Sequence, residues 1–150
     1  MCSSDLTDVT SVRTVMMGSA PASRQIFDEL NRYFPNAEAL VVYGVTEGGP
    51  VPLGPHPQGK PRPQGSIGIP YDGTHAKLIV GEQEAAEGEL VLKNPGVLLG
   101  YHNLPQETAK RLRDGWYYTG DVCRRDAEGF YYFVGRTDDM FVCGGENIFP

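Results

Sequence analysis

Three short runs of this 150-residue chain carry side chains that could do chemistry. In Tyr43-Gly44-Val45-Thr46-Glu47 a hydroxyl and a carboxylate follow a glycine. The hydroxyl can donate to a phosphate oxygen, and the carboxylate is a hard oxygen ligand of the kind Mg2+ takes. The glycine would let such a ligand approach the backbone. Read alone, the run is also an ordinary polar turn from strand to loop. In Trp116-Tyr117-Tyr118-Thr119-Gly120-Asp121 a carboxylate sits after a glycine turn and just before a strand-like run. Its two oxygens have lone pairs enough to accept both hydroxyls of a ribose diol, although an Asx turn would use the same residue. In Gly135-Arg136-Thr137-Asp138-Asp139 a planar guanidinium fork is available to a phosphate or sugar. The adjacent acids, and Gly144-Gly145 beyond them, equally suit a solvated bend.

The elements that must position these runs follow from periodicity. Val12 to Met17 is apolar and β-prone, Gly18-Ser19-Ala20-Pro21 breaks it, and Ala39 to Tyr43 is apolar again. Between them Ser23 can cap a helix whose Ile26, Phe27 and Leu30 share a face and which Pro35 stops. A βαβ unit of this kind belongs to a parallel sheet with ligand sites beyond the strand C-termini, where Gly18 and Gly44 fall. From Gly48 to Pro70, seven of the twelve prolines gather among glycines, which predicts a linker or long loop. Short β-prone runs follow at Ala76 to Val80, Glu89 to Lys93, Val122 to Arg125, Phe130 to Val134 and Met140 to Val142. Turn signals separate them, which suggests a small antiparallel barrel or sandwich. One helix interrupts the series, from Pro105 at its first position to a stop at Asp114-Gly115.

Composition narrows the class. A hydrophobic content of 40% is that of a soluble globular chain, and a net charge of -6 supplies no basic field for a nucleic-acid partner. No apolar run approaches the roughly 20 residues that span a bilayer, and the expected location is cytoplasmic. Cys2, Cys123 and Cys143 match neither a disulfide framework nor a zinc site and are read as reduced thiols. His56, His75 and His102 stand alone, without a second ligand at metal spacing. The opening Met1-Cys2-Ser3-Ser4-Asp5-Leu6 is what a GTG start and a sequencing-adapter tail would encode, so residues 1–9 are set aside as a non-native or disordered start.

Taken in order, these segments resemble the adenylate-forming superfamily of acyl-CoA synthetases, peptide-synthetase adenylation domains and beetle luciferases. The resemblance rests on Gly18-Ser19-Ala20-Pro21, Tyr43 to Glu47, Gly88-Glu89-Leu90 continuing to Gly100-Tyr101, Tyr118-Thr119-Gly120-Asp121 and Gly135-Arg136-Thr137-Asp138. It spans about Thr10 to Pro150. The Asp138 to Ile148 stretch is most like stand-alone bacterial acyl- or aryl-CoA ligases, with a carrier-protein-loading adenylation domain as the alternative within the family. A non-catalytic nucleotide-binding fragment is the alternative outside it.

The resemblance implies a partial N-terminal domain: residues 10–48 the end of an α/β subdomain, 49–66 a Gly/Pro-rich linker, 67–137 a β-barrel subdomain, and 138–150 a hinge and the start of a C-terminal lid. It implies ATP or AMP, Mg2+ and coenzyme A as ligands, and a small-molecule carboxylic acid as substrate. In that pattern Thr46 touches phosphate, Glu47 holds Mg2+, Asp121 accepts the ribose hydroxyls and Arg136 supports the ribose. Gly18, Ser19, Ala20, Tyr43 and Gly44 lie along the adenine and acyl pocket. Asp138 matches the lid hinge, and Gly145 the glycine beside which the pantetheine arm passes. The sequence departs from the pattern at Val142 and Gly144, where many relatives have lysines. The family's lysine-bearing phosphate loop would lie upstream of Thr10 and its catalytic lysine downstream of Pro150, so the chain as it stands is expected to be an inactive internal piece.

Overall fold

A computed structural model describes residues 8–18, 23–139, 141–143 and 146–148, with side chains described as far as Asp139. Strand β1 (Thr14–Met17), helix α1 (Arg24–Tyr33) and strand β2 (Glu38–Val41) form the expected βαβ unit. The strands run parallel, Thr14 opposite Glu38 and Met17 opposite Val41. Ser23 caps α1 by accepting the Ile26 amide at 3.4 Å, and the Phe34 amide closes the other end on the Leu30 carbonyl. Of the predicted apolar face, Phe27 is buried and Leu30 half-buried, while Ile26 points outward.

After a 3-10 turn at Thr46–Gly48, strands β3 (Leu53–Gly54) and β4 (Ile69–Pro70) pair antiparallel, so the ends of the proline-rich segment are ordered against each other. Prolines exclude a long strand here, yet Leu53 and Ile67 are almost wholly buried. Two apolar anchors hold a loop whose exposed part lies between them.

The second half is an antiparallel sheet built from β5 (His75–Val80), β6 (Gln83–Glu84), β7 (Glu87–Lys93), β8 (Leu112–Arg113), β9 (Trp116–Arg125) and β10 (Tyr131–Arg136), in the order β10-β9-β7-β5-β6 with β8 folded onto β9. Among the described strands β6 keeps a free edge, while Ile67 and Gly68 bridge the outer edge of β10 at Tyr131, so the sheet curls into a half-barrel where the sequence suggested a small antiparallel barrel or sandwich. Strand β7 lies in the middle, and its Leu90, Val91 and Leu92 are buried, as a strand covered on both faces must be. Helix α2 (Pro105–Arg111) is shorter than its sequence pattern, because Leu112 and Arg113 pair with Tyr117 and Trp116. Asp114 and Gly115, both at positive φ (51° and 76°), form the hairpin turn rather than a helix stop. Strands β11 (Phe141–Cys143) and β12 (Glu146–Ile148) make a separate antiparallel pair.

One apolar cluster joins both halves. Phe27, Val41 and Tyr43 from the βαβ side pack with Leu53, Ile67, Leu78, Leu90, Leu92, Cys123 and Tyr131.

Candidate functional site

The site forms where the C-terminal end of β2 meets a distortion in β9. Glu89 on β7 faces Val122 while Val91 faces Tyr118, so two steps along β7 span four along β9. Thr119, Gly120 and Asp121 stand opposite the single residue Leu90, two more than the β7 ladder accommodates, and β9 bulges there. Gly120 takes φ 76°, a left-handed value that strains residues with a Cβ.

A bulge strands backbone groups, and neighbouring side chains satisfy them here. Thr119 Oγ1 donates to the Leu90 carbonyl at 2.8 Å and accepts the Asp121 amide at 3.0 Å, while Glu89 Oε1 accepts the Gly120 amide at 2.9 Å. Asp121 is therefore not ahead of a strand, as the sequence suggested, but inside a ten-residue one.

The bulge turns the Asp121 carboxylate inward, to 6% exposure. Its Oδ2 accepts the Tyr43 hydroxyl at 2.6 Å and its Oδ1 accepts Arg136 Nη1 at 3.0 Å. Arg136 is its partner across the β9–β10 ladder, the arrangement in which opposite charges on adjacent strands attract. Burial raises the Asp121 pKa above 3.8, opposed by the Tyr43 hydrogen bond and then by Arg136. Tyr43 is raised strongly as well, first by burial and then by the Asp121 charge. It stays a protonated donor.

Arg136 also reaches toward Asp138, 3.8 Å from Nη2, and Asp138 lies 3.4 Å from Arg111 Nη2 on α2. Asp138 is 64% exposed, so these long contacts orient it only weakly. The bare α-carbon of Gly120 leaves room for the Arg111 guanidinium, 2.5 Å from where a Cβ would stand.

Thr46 and Glu47 open the 3-10 turn that follows β2; Thr46 is exposed and Glu47 half-buried. The Glu47 carboxylate accepts the Tyr101 hydroxyl at 3.1 Å, and among the described hydrogen bonds its Oε2 has no protein donor. Gly44 is explained by its own chain: a Cβ there would collide with the Pro50 carbonyl. Gly18 lies at the end of β1, where a Cβ would stand 3.3 Å from the Val42 carbonyl. Ser19, Ala20 and Gly145 fall outside the described residues.

Tyr43, Asp121 and Arg136 thus meet directly, with Asp138 at the far side of Arg136 and Glu47 on a neighbouring turn. Sequence reading missed Tyr101, Arg111, Thr119 and Glu89. Thr119, Glu89 and Tyr101 lay inside quoted motifs without a role, and at Thr119 a hydroxyl two residues before a carboxylate could have signalled a bulge.

No group of three or more His, Cys, Asp or Glu side chains could hold a metal ion among the described residues. A Mg2+ ion does not require one, since it is commonly held by one or two carboxylates, substrate phosphates and water. Glu47, with one oxygen free beside an exposed hydroxyl, fits that habit.

The chain belongs to the AMP-binding enzymes, whose pattern matches residues 2–102, and so to the adenylate-forming superfamily. It is 37% identical over 148 residues to a long-chain-fatty-acid–CoA ligase of Bacillus subtilis (strain 168), covering 95% of this chain and 26% of that protein. It is equally 37% identical over 148 residues to a feruloyl-CoA synthase of an Amycolatopsis species, covering 95% and 30%. Among solved structures, o-succinylbenzoate coenzyme A synthetase from Bacillus subtilis, in complex with ATP and magnesium ion, matches with a TM-score of 0.77 at 30% identity, over 92% of this chain and 29% of that one. The chain therefore spans less than a third of the length of these relatives. No helix among the described residues is long and apolar enough to cross a membrane.

Proposed function

We propose that this chain is part of an ATP-dependent acyl- or aryl-CoA ligase that activates a carboxylic acid as its adenylate and passes the acyl group to the thiol of coenzyme A. The observation that carries this reading is the meeting of Tyr43, Asp121 and Arg136, three residues from separate motifs of the family, around one buried carboxylate. Matches to CoA ligases over 95% of the chain support the choice of acceptor.

In this reading Asp121 is the ribose acceptor. Each of its oxygens already holds one donor, and a carboxylate oxygen can accept a second. Tyr43 and Arg136 would thus fix the carboxylate plane on which the diol docks. Arg136, 45% exposed, keeps donors free for the sugar. Thr46 would donate to a phosphate oxygen, and Glu47 would be the protein ligand of Mg2+, which neutralises phosphate charge when bound. Gly18, Ser19, Ala20, Tyr43 and Gly44 would border the adenine and acyl groups. Asp138 would be the hinge of a lid, and Gly145 would border the pantetheine arm. Residues 49–66 would link the α/β part to the sheet at 67–137, with the lid beginning at 138. A soluble cytoplasmic enzyme is the matching cellular form.

The test is made on the full-length enzyme that carries this segment. Acid-dependent ATP–pyrophosphate exchange should appear with a panel of fatty and aromatic acids, followed by a thioester on free coenzyme A. Exchange without that thioester, but with loading of a carrier-protein thiol, would move the acceptor. No exchange with any acid would end the ligase reading.

A further inference from the structure

We infer that Tyr101 is a positioning residue for the metal-binding carboxylate, fixing Glu47 so that a single oxygen faces a small divalent cation; this deepens the ligase reading and rests on it. The segment Asn94 to Tyr101 grips the Thr46–Gly48 turn at three points. Asn94 Nδ2 donates to the Gly48 carbonyl at 2.8 Å, the Leu98 amide donates to the Glu47 carbonyl at 2.8 Å, and the Tyr101 hydroxyl donates to Glu47 Oε1 at 3.1 Å. Two grips act on backbone and set the turn. The Tyr101 hydrogen bond acts on the carboxylate itself.

Tyr101 is held in place from the other side. Its amide donates to Thr108 Oγ1 of α2 at 2.9 Å, and its carbonyl accepts the Leu104 amide at 3.2 Å.

The consequence is geometric. A carboxylate with one oxygen tied to a fixed donor offers the other as a monodentate ligand, which suits the tight octahedron of Mg2+. Freed to rotate, the same carboxylate can turn both oxygens to a cation, which suits the larger and more irregular shell of Ca2+. Partners that orient a ligating group commonly change metal affinity by about 10- to 100-fold when removed. For one hydrogen bond at a half-buried site a smaller effect than that range, about 3- to 10-fold, is expected.

The experiment compares wild type and Tyr101→Phe in the full-length enzyme. Acid-dependent ATP–pyrophosphate exchange is titrated with Mg2+ and then with Ca2+, and Mn2+ binding is counted by electron paramagnetic resonance in the presence of a non-hydrolysable ATP analogue. The variant should need about 3- to 10-fold more Mg2+ for half-saturation and bind Mn2+ correspondingly more weakly. Its exchange rate at saturating Mg2+ and its KM for ATP should stay within about 2-fold, and its preference for Mg2+ over Ca2+ should narrow. Unchanged Mg2+ and Mn2+ dependence in an active variant would overturn the inference and leave the ligase reading standing. So would an equal fall in exchange at every Mg2+ concentration with a lowered melting temperature, which marks a merely structural role. A wild type without Mg2+-dependent exchange would overturn the ligase reading and this inference with it.

Discussion

Replacing Tyr43 with phenylalanine removes a single oxygen from the candidate site and should reveal how much the buried carboxylate depends on it. The ring remains in the core, so no apolar contact is lost and no cavity larger than the hydroxyl opens. What disappears is a 2.6 Å hydrogen bond to Asp121 Oδ2. A hydrogen bond to a charged group contributes about 1.5–3 kcal/mol. Arg136 serves the other oxygen and is 45% exposed, so it cannot be counted on to compensate. For a chain of this size each kcal/mol moves the melting temperature by about 2–4 °C, so Tyr43→Phe should lower it by about 3–12 °C.

The pH dependence gives a second reading. Asp121 titrates above 3.8 in the folded chain because burial disfavours its charge, and the Tyr43 hydrogen bond opposes that rise. Between the unfolded and folded pKa values the native state holds more protons, so this group lowers stability as pH rises through that window. Without Tyr43 the folded pKa climbs further and the penalty grows. The gap between wild type and variant should therefore be full above the folded pKa of Asp121 and shrink as pH falls through it. Urea denaturation of both chains from pH 7 down to about pH 4, repeated in an Asp121→Asn background, measures the gap and the coupling. A loss below about 0.5 kcal/mol at neutral pH, or one that does not shrink on acidification, would refute this account of the site.

Two further outcomes follow from the same geometry. Limited proteolysis should cut first between Pro55 and Gly65, in the exposed stretch between the anchors Leu53 and Ile67, and a broad-specificity protease is needed because Lys60 and Arg62 each precede proline; earlier cutting within Ala76 to Val134 would contradict this. In the full-length enzyme Asp138→Pro should fix φ near -65° and slow either pyrophosphate exchange or thioester formation from pre-formed adenylate, and an equal fall in both would count against a hinge there.

Local chemistry was legible wherever it acts over a few residues. Ser23 capping α1, Pro105 opening α2 and the parallel pairing of β1 with β2 all follow from signals within one element and its neighbours. Asp114-Gly115 reads as a helix stop in the sequence, and the pairing of Leu112 and Arg113 with β9 makes it a hairpin turn instead. The proline-rich segment hid its anchors, since Leu53 and Ile67 look like isolated apolar residues in a loop until the core that receives them is assembled. Asp121 stood out in the sequence as a carboxylate after a glycine, but its partner Tyr43 lies 78 residues earlier, and no local periodicity encodes such a distance. Tyr101 over Glu47 and Arg111 beside Asp138 are of the same kind. They are properties of the folded arrangement.

Tyr43 belongs at once to the apolar cluster and to the polar site, and this dual membership ties the setting of the Asp121 carboxylate to the folding equilibrium of the chain. A two-stranded parallel pair has little sheet of its own to stabilise it, and it remains in register because Phe27, Val41 and Tyr43 are packed against β7 and β9. Any fluctuation that lifts β2 from the sheet withdraws the Tyr43 hydroxyl from Asp121 in the same motion. Hydrogen exchange of the β2 amides would then report the fraction of molecules in which the carboxylate is unsupported, and a nucleotide docking at Asp121 in the proposed way would slow that exchange.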